Sequence, residues 1–272
     1  MRTTWGVATD KGQVRQLNED AVLAQPPVFL VADGMGGYEA GDVASQLIVE
    51  VFGALGGRET VSPGDIHQRF EVAVQRLRAA IDSGSRAGAT VAGAAIVEQD
   101  GAAYWLFFNI GDSRIYRCQE GRLEQISVDH SVAQELLEAG VIDDAEAASH
   151  PQRHQVTRAL ATHVRPDPDY WLMPTDFTDR ILLCSDGLTT EVADGDIAQL
   201  MRTQRDPQRA ADDLVNAAVL AGGRDNVSAV VVDVVAESGS RGAAGAANGQ
   251  VGCWPAGVEA TTVPRNVRRR NS

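Results

Sequence analysis

Four aspartates stand where strand-like apolar runs meet glycine. Val28-Phe-Leu-Val-Ala-Asp33-Gly34-Met35-Gly36-Gly37 ends an apolar run in a carboxylate, and Arg180-Ile-Leu-Leu-Cys-Ser-Asp186-Gly187 repeats the move. Asn109-Ile-Gly111-Asp112-Ser-Arg114 closes a third run, and Gly222-Gly-Arg-Asp225-Asn226 precedes a fourth. Glycine lets the backbone turn sharply and brings carbonyls close to whatever the carboxylate binds. Aspartates that are distant in sequence yet share this placement point to one common site. Carboxylates that close together cannot all ionise unless cations neutralise them, so the chemistry expected is divalent-metal binding through oxygen. Taken singly, each aspartate reads as a turn or cap residue. Only the set carries the argument.

These residues need elements to hold them. Trp5–Asp10 and Ala21–Gln25 read as strands, with Arg15-Gln-Leu-Asn18-Glu19-Asp20 between them. Beyond Gly37 the pattern turns helical, with Val43, Leu47, Val51, Ala54 and Leu55 at three- and four-residue steps. A second helix starts at Ser62-Pro63-Gly64-Asp65, with Ile66, Phe70, Val74, Leu77 and Ile81 on one face. Strands are predicted at Ala89–Glu98, Ala103–Ile110, Arg114–Arg117, Tyr170–Met173, Arg180–Cys184 and Asn226–Val235, several joined by Asp-Gly turns that imply antiparallel hairpins. Helices are predicted at Asp194–Met201 and at Pro207–Leu220, the latter capped by Asp206. Residues 127–165, with short helices at Ser131–Leu137 and Asp143–Ala148, read as a flap or as an ordinary helical connection. The fold class expected is α+β: a central antiparallel β-sandwich of two sheets, flanked on both sides by pairs of helices.

The net charge of −13 argues against nucleic acid or an anionic membrane as the main partner. Three cysteines without CxxC spacing, Cys118, Cys184 and Cys253, disfavour a disulfide framework or a thiolate zinc site, and Cys184 reads as a small core residue. No signal-peptide core is seen, and no apolar run nears the ~20 residues that span a bilayer, so the chain is expected to be cytoplasmic and monomeric. Residues 1–236 form the expected domain. From Glu237 onward Gly, Ala, Ser and Asn dominate and Arg268-Arg-Arg270 lies near the end, which reads as a disordered tail. Gly36-Gly37-Tyr-Glu-Ala-Gly41 lacks the Gly-Lys-[Ser/Thr] of a phosphate loop, so a nucleotide site there is rejected.

Arg15-x-x-Asn-Glu19-Asp20, Asp33-Gly34-Met-Gly-Gly37, Gly111-Asp112-Ser-Arg114, Ser185-Asp186-Gly187 and Asp225-Asn226 occur in an order that resembles the type 2C metal-dependent protein phosphatases. The resemblance spans roughly residues 5–235 and is strongest to the bacterial serine/threonine branch. It implies that Asp33 bridges two ions, that the Gly34 carbonyl ligates one, that Asp186 and Asp225 hold the first ion, and that Glu19 reaches the second. Asp20 would support that shell, and Asp112 with Asp186 would bind a third ion. Mn²⁺ or Mg²⁺, two or three per chain, suits such donors. Arg15 would receive the phosphate, and a metal-bridging hydroxide would attack phosphoserine or phosphothreonine directly. The partners implied are phosphorylated Ser/Thr proteins, including a cognate bacterial kinase.

The chain departs from many eukaryotic members at Met35, where they carry a histidine thought to protonate the leaving oxygen. Metal-bound water is the first candidate in its place, with His130 or His154 second. Two rival readings are a catalytically silent metal-binding relative that acts as an interaction module and a hydrolase of small phosphate esters.

Overall fold

The computed structural model describes residues 1–36, 40–81, 87–162 and 165–235. The tail expected from Glu237 onward, and Gly37 of the glycine turn, lie outside the described residues. All strands pair antiparallel within two sheets. The larger sheet is built on β3 (Val28–Met35), which pairs β2 (Asp20–Gln25) along one edge. Along its other edge β3 pairs β4 (Gly88–Ala89) and β5 (Val91–Gln99). β6 (Ala102–Ile110), β9 (Leu160–Ala161) and β10 (Asp169–Pro174) complete that sheet. The second sheet runs β1 (Arg2–Asp10), β12 (Val227–Val235), β11 (Arg180–Cys184), β7 (Arg114–Gln119) and β8 (Arg122–Gln125).

Residue alternation divides the interior into three cores. From β3, Val28, Leu30 and Ala32 pack with helices α1 (Ala40–Gly53) and α2 (Pro63–Ala80), whereas Phe29 and Val31 face the other sheet. From β12, Val230, Val232 and Val234 enter that intersheet core with Trp105, Phe107, Ile181 and Leu183. Val227, Ala229 and Val231 turn the opposite way, toward α5 (Asp186–Glu191), α6 (Asp194–Thr203) and α7 (Pro207–Ala221). Strands buried on both faces read as continuous apolar runs, which is why β3 and β12 lack a polar alternation. Four layers result, helices outside two sheets, as the sequence predicts.

Local chemistry sets the boundaries. Ser62 caps α2 in a capping box: Asp65 N–H donates to Ser62 Oγ at 3.1 Å and Ser62 N–H to Asp65 Oδ2 at 2.8 Å. Asp206 caps α7 through the amides of Gln208 and Arg209. The predicted face of α1 is partly wrong. Its buried side runs through Ala44, Ile48, Val51 and Phe52, and Val43 is 43% exposed. Three further differences are structural. Thr90 interrupts the run expected as one strand, β8 was not foreseen, and Asp186 opens a short helix directly after β11. Between β8 and β9 lie α3 (Val132–Glu138) and α4 (Asp144–Ser149), and most residues from 138 to 155 are exposed.

Candidate active site

Strand ends deliver the acidic residues to one end of the sandwich. Asp20 opens β2 directly across from Asp33 on β3. Asp33 lies where pairing passes from β5 to β4, and Thr90 holds its backbone through Thr90 N–H to Asp33 O at 2.9 Å and Asp33 N–H to Thr90 Oγ1 at 3.2 Å. Asp112 stands on the turn between β6 and β7, Asp186 starts α5, and Asp225 precedes β12. Glycine is obligatory at one close approach. A side chain on Gly34 would collide with the carbonyl oxygens of Gly41 and Glu19, so no other residue lets α1 and the 11–19 loop close on this strand end.

The carboxylates act on one another. Burial and then the fields of Asp20, Asp186, Asp112 and Asp225 raise the Asp33 pKa well above the carboxylate range. Burial, with Asp186 and Asp129, pushes Asp112 up to about 8. Burial, opposed by Ser228 and Ser185 hydroxyls, brings Asp20 to about 7. Ser185 Oγ donates to Asp20 Oδ2 at 2.8 Å, while Asp20 Oδ1, also buried, has no partner. Carboxyl groups crowded in this way call for more positive charge beside them. Among the described residues, however, no group of three or more His, Cys, Asp or Glu side chains closes around an ion-sized point. Two of the carboxylates are otherwise engaged. Arg15 Nη2 donates to Asp225 Oδ2 at 2.7 Å, and His154 Nδ1 lies 3.6 Å from Asp186 Oδ2. Burial works against the Arg15 charge, but the hydrogen bond that Arg15 donates to Asp225 and the fields of Asp225, Glu19 and Asp33 outweigh it and raise its pKa.

Several working residues carried no role in the sequence reading. Asn226 gathers the 11–19 loop: its Oδ1 accepts from Glu19 N–H at 2.9 Å, and its Nδ2 donates to Lys11 O at 3.0 Å and Leu17 O at 2.8 Å. Its adjacency to Asp225 was the available signal. Asn18 shapes the turn before β2, its Nδ2 donating to Thr9 Oγ1 at 2.8 Å and its Oδ1 accepting from Asp20 N–H at 3.2 Å. Behind Asp33 and Asp112, Thr90 and Ser113 share a buried 2.7 Å hydroxyl contact that no local pattern announces.

His130 is not the proton donor that the sequence reading held in reserve. Its side chain is 1% exposed, and both ring nitrogens face protein partners, Gly111 N at 3.1 Å and Asp169 Oδ2 at 3.1 Å. A ring sealed from the pocket has no route to a leaving oxygen. Cys184 is a buried core residue as read, and burial lifts its thiol to about 12.

The family model for protein phosphatase 2C matches residues 9–219. The chain belongs to that family. The serine/threonine phosphatase stp of Listeria monocytogenes is 32% identical over 238 residues, covering 83% of this chain and 93% of its own length. The solved Mycobacterium tuberculosis serine/threonine phosphatase PstP/Ppp superposes with a TM-score of 0.76 at 34% identity, covering 86% of this chain and 99% of that one. A structure of the PstP catalytic domain in complex with two manganese ions gives 0.73 at 32% identity, over 86% and 99%. These neighbours share the two-sheet, helix-flanked architecture. Membership in the bacterial branch of the protein phosphatase 2C family makes this chain an enzyme of the protein-phosphatase class.

Proposed function

We propose that this protein phosphatase 2C member hydrolyses phosphoserine and phosphothreonine in proteins, reversing a bacterial Ser/Thr kinase in the cytoplasm as a monomer. Residues 1–236 form its catalytic domain, with 127–165 as a flap. One observation carries the reading: aspartates from β2, β3, the β6–β7 turn, α5 and the approach to β12 converge, and burial together with the fields of their neighbours raises the pKa of Asp20, Asp33 and Asp112.

Oxygen-only donors, mutual repulsion and the unpartnered Asp20 Oδ1 suit hard divalent cations, Mn²⁺ or Mg²⁺, two or three in number. Asp33, Asp186 and Asp225, with Glu19 and the Gly34 carbonyl, would hold two of them, Asp112 with Asp186 a third, and Asp20 would support the set. When bound, the ions make water acidic enough to supply the attacking group and offset the charge of the phosphate. Arg15, bonded to Asp225, and His154, near Asp186, would give way where those carboxylates hold cations. Arg15 then presents a planar fork to the phosphate oxygens, as its place on a loop held by Asn226 allows. Asn226, Thr90 and Ser185 keep that loop and the two strand ends from relaxing apart. Met35 cannot donate a proton, and the sealed His130 is excluded as a donor. Water on the bound ions would then be the first candidate to protonate the leaving oxygen, with His154, beside Asp186, the second.

The test is Mn²⁺-dependent phosphate release from a phosphothreonine peptide and from p-nitrophenyl phosphate, with Asp33→Asn as control. Release from the peptide that Asp33→Asn abolishes supports the reading. Release from the aryl ester alone would make the protein a small-ester hydrolase, and release from neither a silent relative.

A further inference from the structure

The geometry points to His130 as a positioning residue that fixes the Gly111–Asp112 turn, and with it the Asp112 carboxylate, by bridging that turn to Asp169. The inference rests on the phosphatase reading for the purpose of the turn, but not for its geometry. Gly111 adopts φ +111°, outside the strand ladder, and its amide hydrogen donates to His130 Nδ1 at 3.1 Å. An accepting Nδ1 carries no proton, so the ring is the Nε2–H tautomer and donates to Asp169 Oδ2 at 3.1 Å. Arg158 Nη1 holds the other oxygen of Asp169 at 3.1 Å. Burial alone would raise the Asp169 pKa, but the bonds from His130 and Arg158 outweigh it and keep the carboxylate ionised.

The backbone repeats the grip. His130 N–H donates to Gly111 O at 2.9 Å, and Thr157 N–H donates to His130 O at 2.8 Å. The neighbouring Asp129 clamps the far end of the same turn, accepting from Arg114 Nε at 3.0 Å and Nη2 at 2.7 Å. Residues 129 and 130 thus hold both ends of the turn 111–114. They stand at the root of the flap, where Ser131 bridges Val156.

The turn needs this because it carries a carboxyl group buried close to two others. Asp186 and Asp129 both act on Asp112, which is 6% exposed. A turn free to relax would move Asp112 away from Asp186. Removing the acceptor at His130 would also strand the buried Gly111 amide, a second reason for the turn to rearrange. Ligand groups held by such partners lose roughly 10–100-fold in metal affinity when the partner is removed.

Calorimetric titration of the full chain with Mn²⁺, alongside phosphate release, tests this. Asp112→Asn identifies the binding event that Asp112 supports. His130→Gln, which lacks an acceptor at the Nδ1 place, should weaken that one event about 10–100-fold and leave the tighter events unchanged. Turnover of the phosphothreonine peptide should fall in parallel at constant KM. His130→Asn, whose Oδ1 occupies the Nδ1 position, should recover most of the loss. Equal weakening of every event, a melting-temperature drop with all events intact, or His130→Asn no better than His130→Gln would overturn the assignment. So would an Asp112→Asn titration that loses no event. If the wild type binds Mn²⁺ yet releases phosphate from no substrate, the phosphatase reading falls while the titration still decides the role of His130.

Discussion

Arg15, His154 and Asp33 define what single side chains contribute. Arg15 pairs with Asp225 at 2.7 Å, and both are partly exposed, so the ion pair itself adds little to stability. Its value lies in the phosphate it can receive. Arg15→Ala should leave the melting temperature nearly unchanged and lower kcat/KM on a phosphothreonine peptide by about 10²-fold, the scale of one lost charge-stabilising donor. Steady-state kinetics with a parallel thermal melt checks both halves. His154 lies on an exposed segment beside Asp186, so His154→Ala should leave turnover of p-nitrophenyl phosphate nearly intact. A tenfold loss on both the aryl ester and the peptide would make it a proton donor. Asp33→Asn should abolish Mn²⁺-dependent release, because Asp33 lies in the fields of the four other aspartates of the site.

At the scale of the element, caps and glycines decide where strands and helices stop. The capping box at Ser62 fixes the start of α2, whose Ile66, Phe70, Ala73, Val74 and Leu77 form the outer core. Ser62→Ala should cost about 1 kcal/mol. In a domain of this size that lowers the melting temperature by about 2–4 °C, with kcat unchanged because α2 does not reach the pocket. This boundary was legible in Ser62-Pro63-Gly64-Asp65, since the residues that satisfy the cap are three apart. The buried face of α1 was not. Val43 and Leu47 fit a helical period as well as Ala44 and Ile48 do, and only the position of β2 and β3 beneath the helix selects between the two registers. The break at Thr90 was likewise invisible, because the strand bends there to bond Asp33, a partner 57 residues away.

For the whole molecule the acidic pocket is a cost that cations reverse. Asp20, Asp112 and Asp33 have folded-state pKa values raised to about 7, to about 8 and well above the usual range, whereas unfolded carboxylates titrate near 4. Between those values the folded state binds more protons than the unfolded one, so stability falls as pH rises. In chelator, the melting temperature should therefore drop between pH 5 and pH 8. Saturating Mn²⁺ should flatten or invert that slope, since a ligand at 100 times its Kd adds about 2.7 kcal/mol. A chelated protein that grows more stable toward pH 8 would mean that the carboxylates are not crowded together. Among the described residues no helix is long and apolar enough to cross a membrane.

The sequence by itself determined the α+β class, the strand-end placement of Asp33, Asp112, Asp186 and Asp225, and the family, because apolar period, Asp-Gly punctuation and motif order are local properties written along the chain. Tertiary structure alone decided that Asn226 anchors the loop bearing Arg15, that Thr90 and Ser113 back the site, and that His130 is a sealed bridge rather than a proton donor. Each of these depends on groups tens to hundreds of residues apart meeting in a desolvated space, where an unmade hydrogen bond is costly and the side chain's role is set by whichever partner folding brings to it.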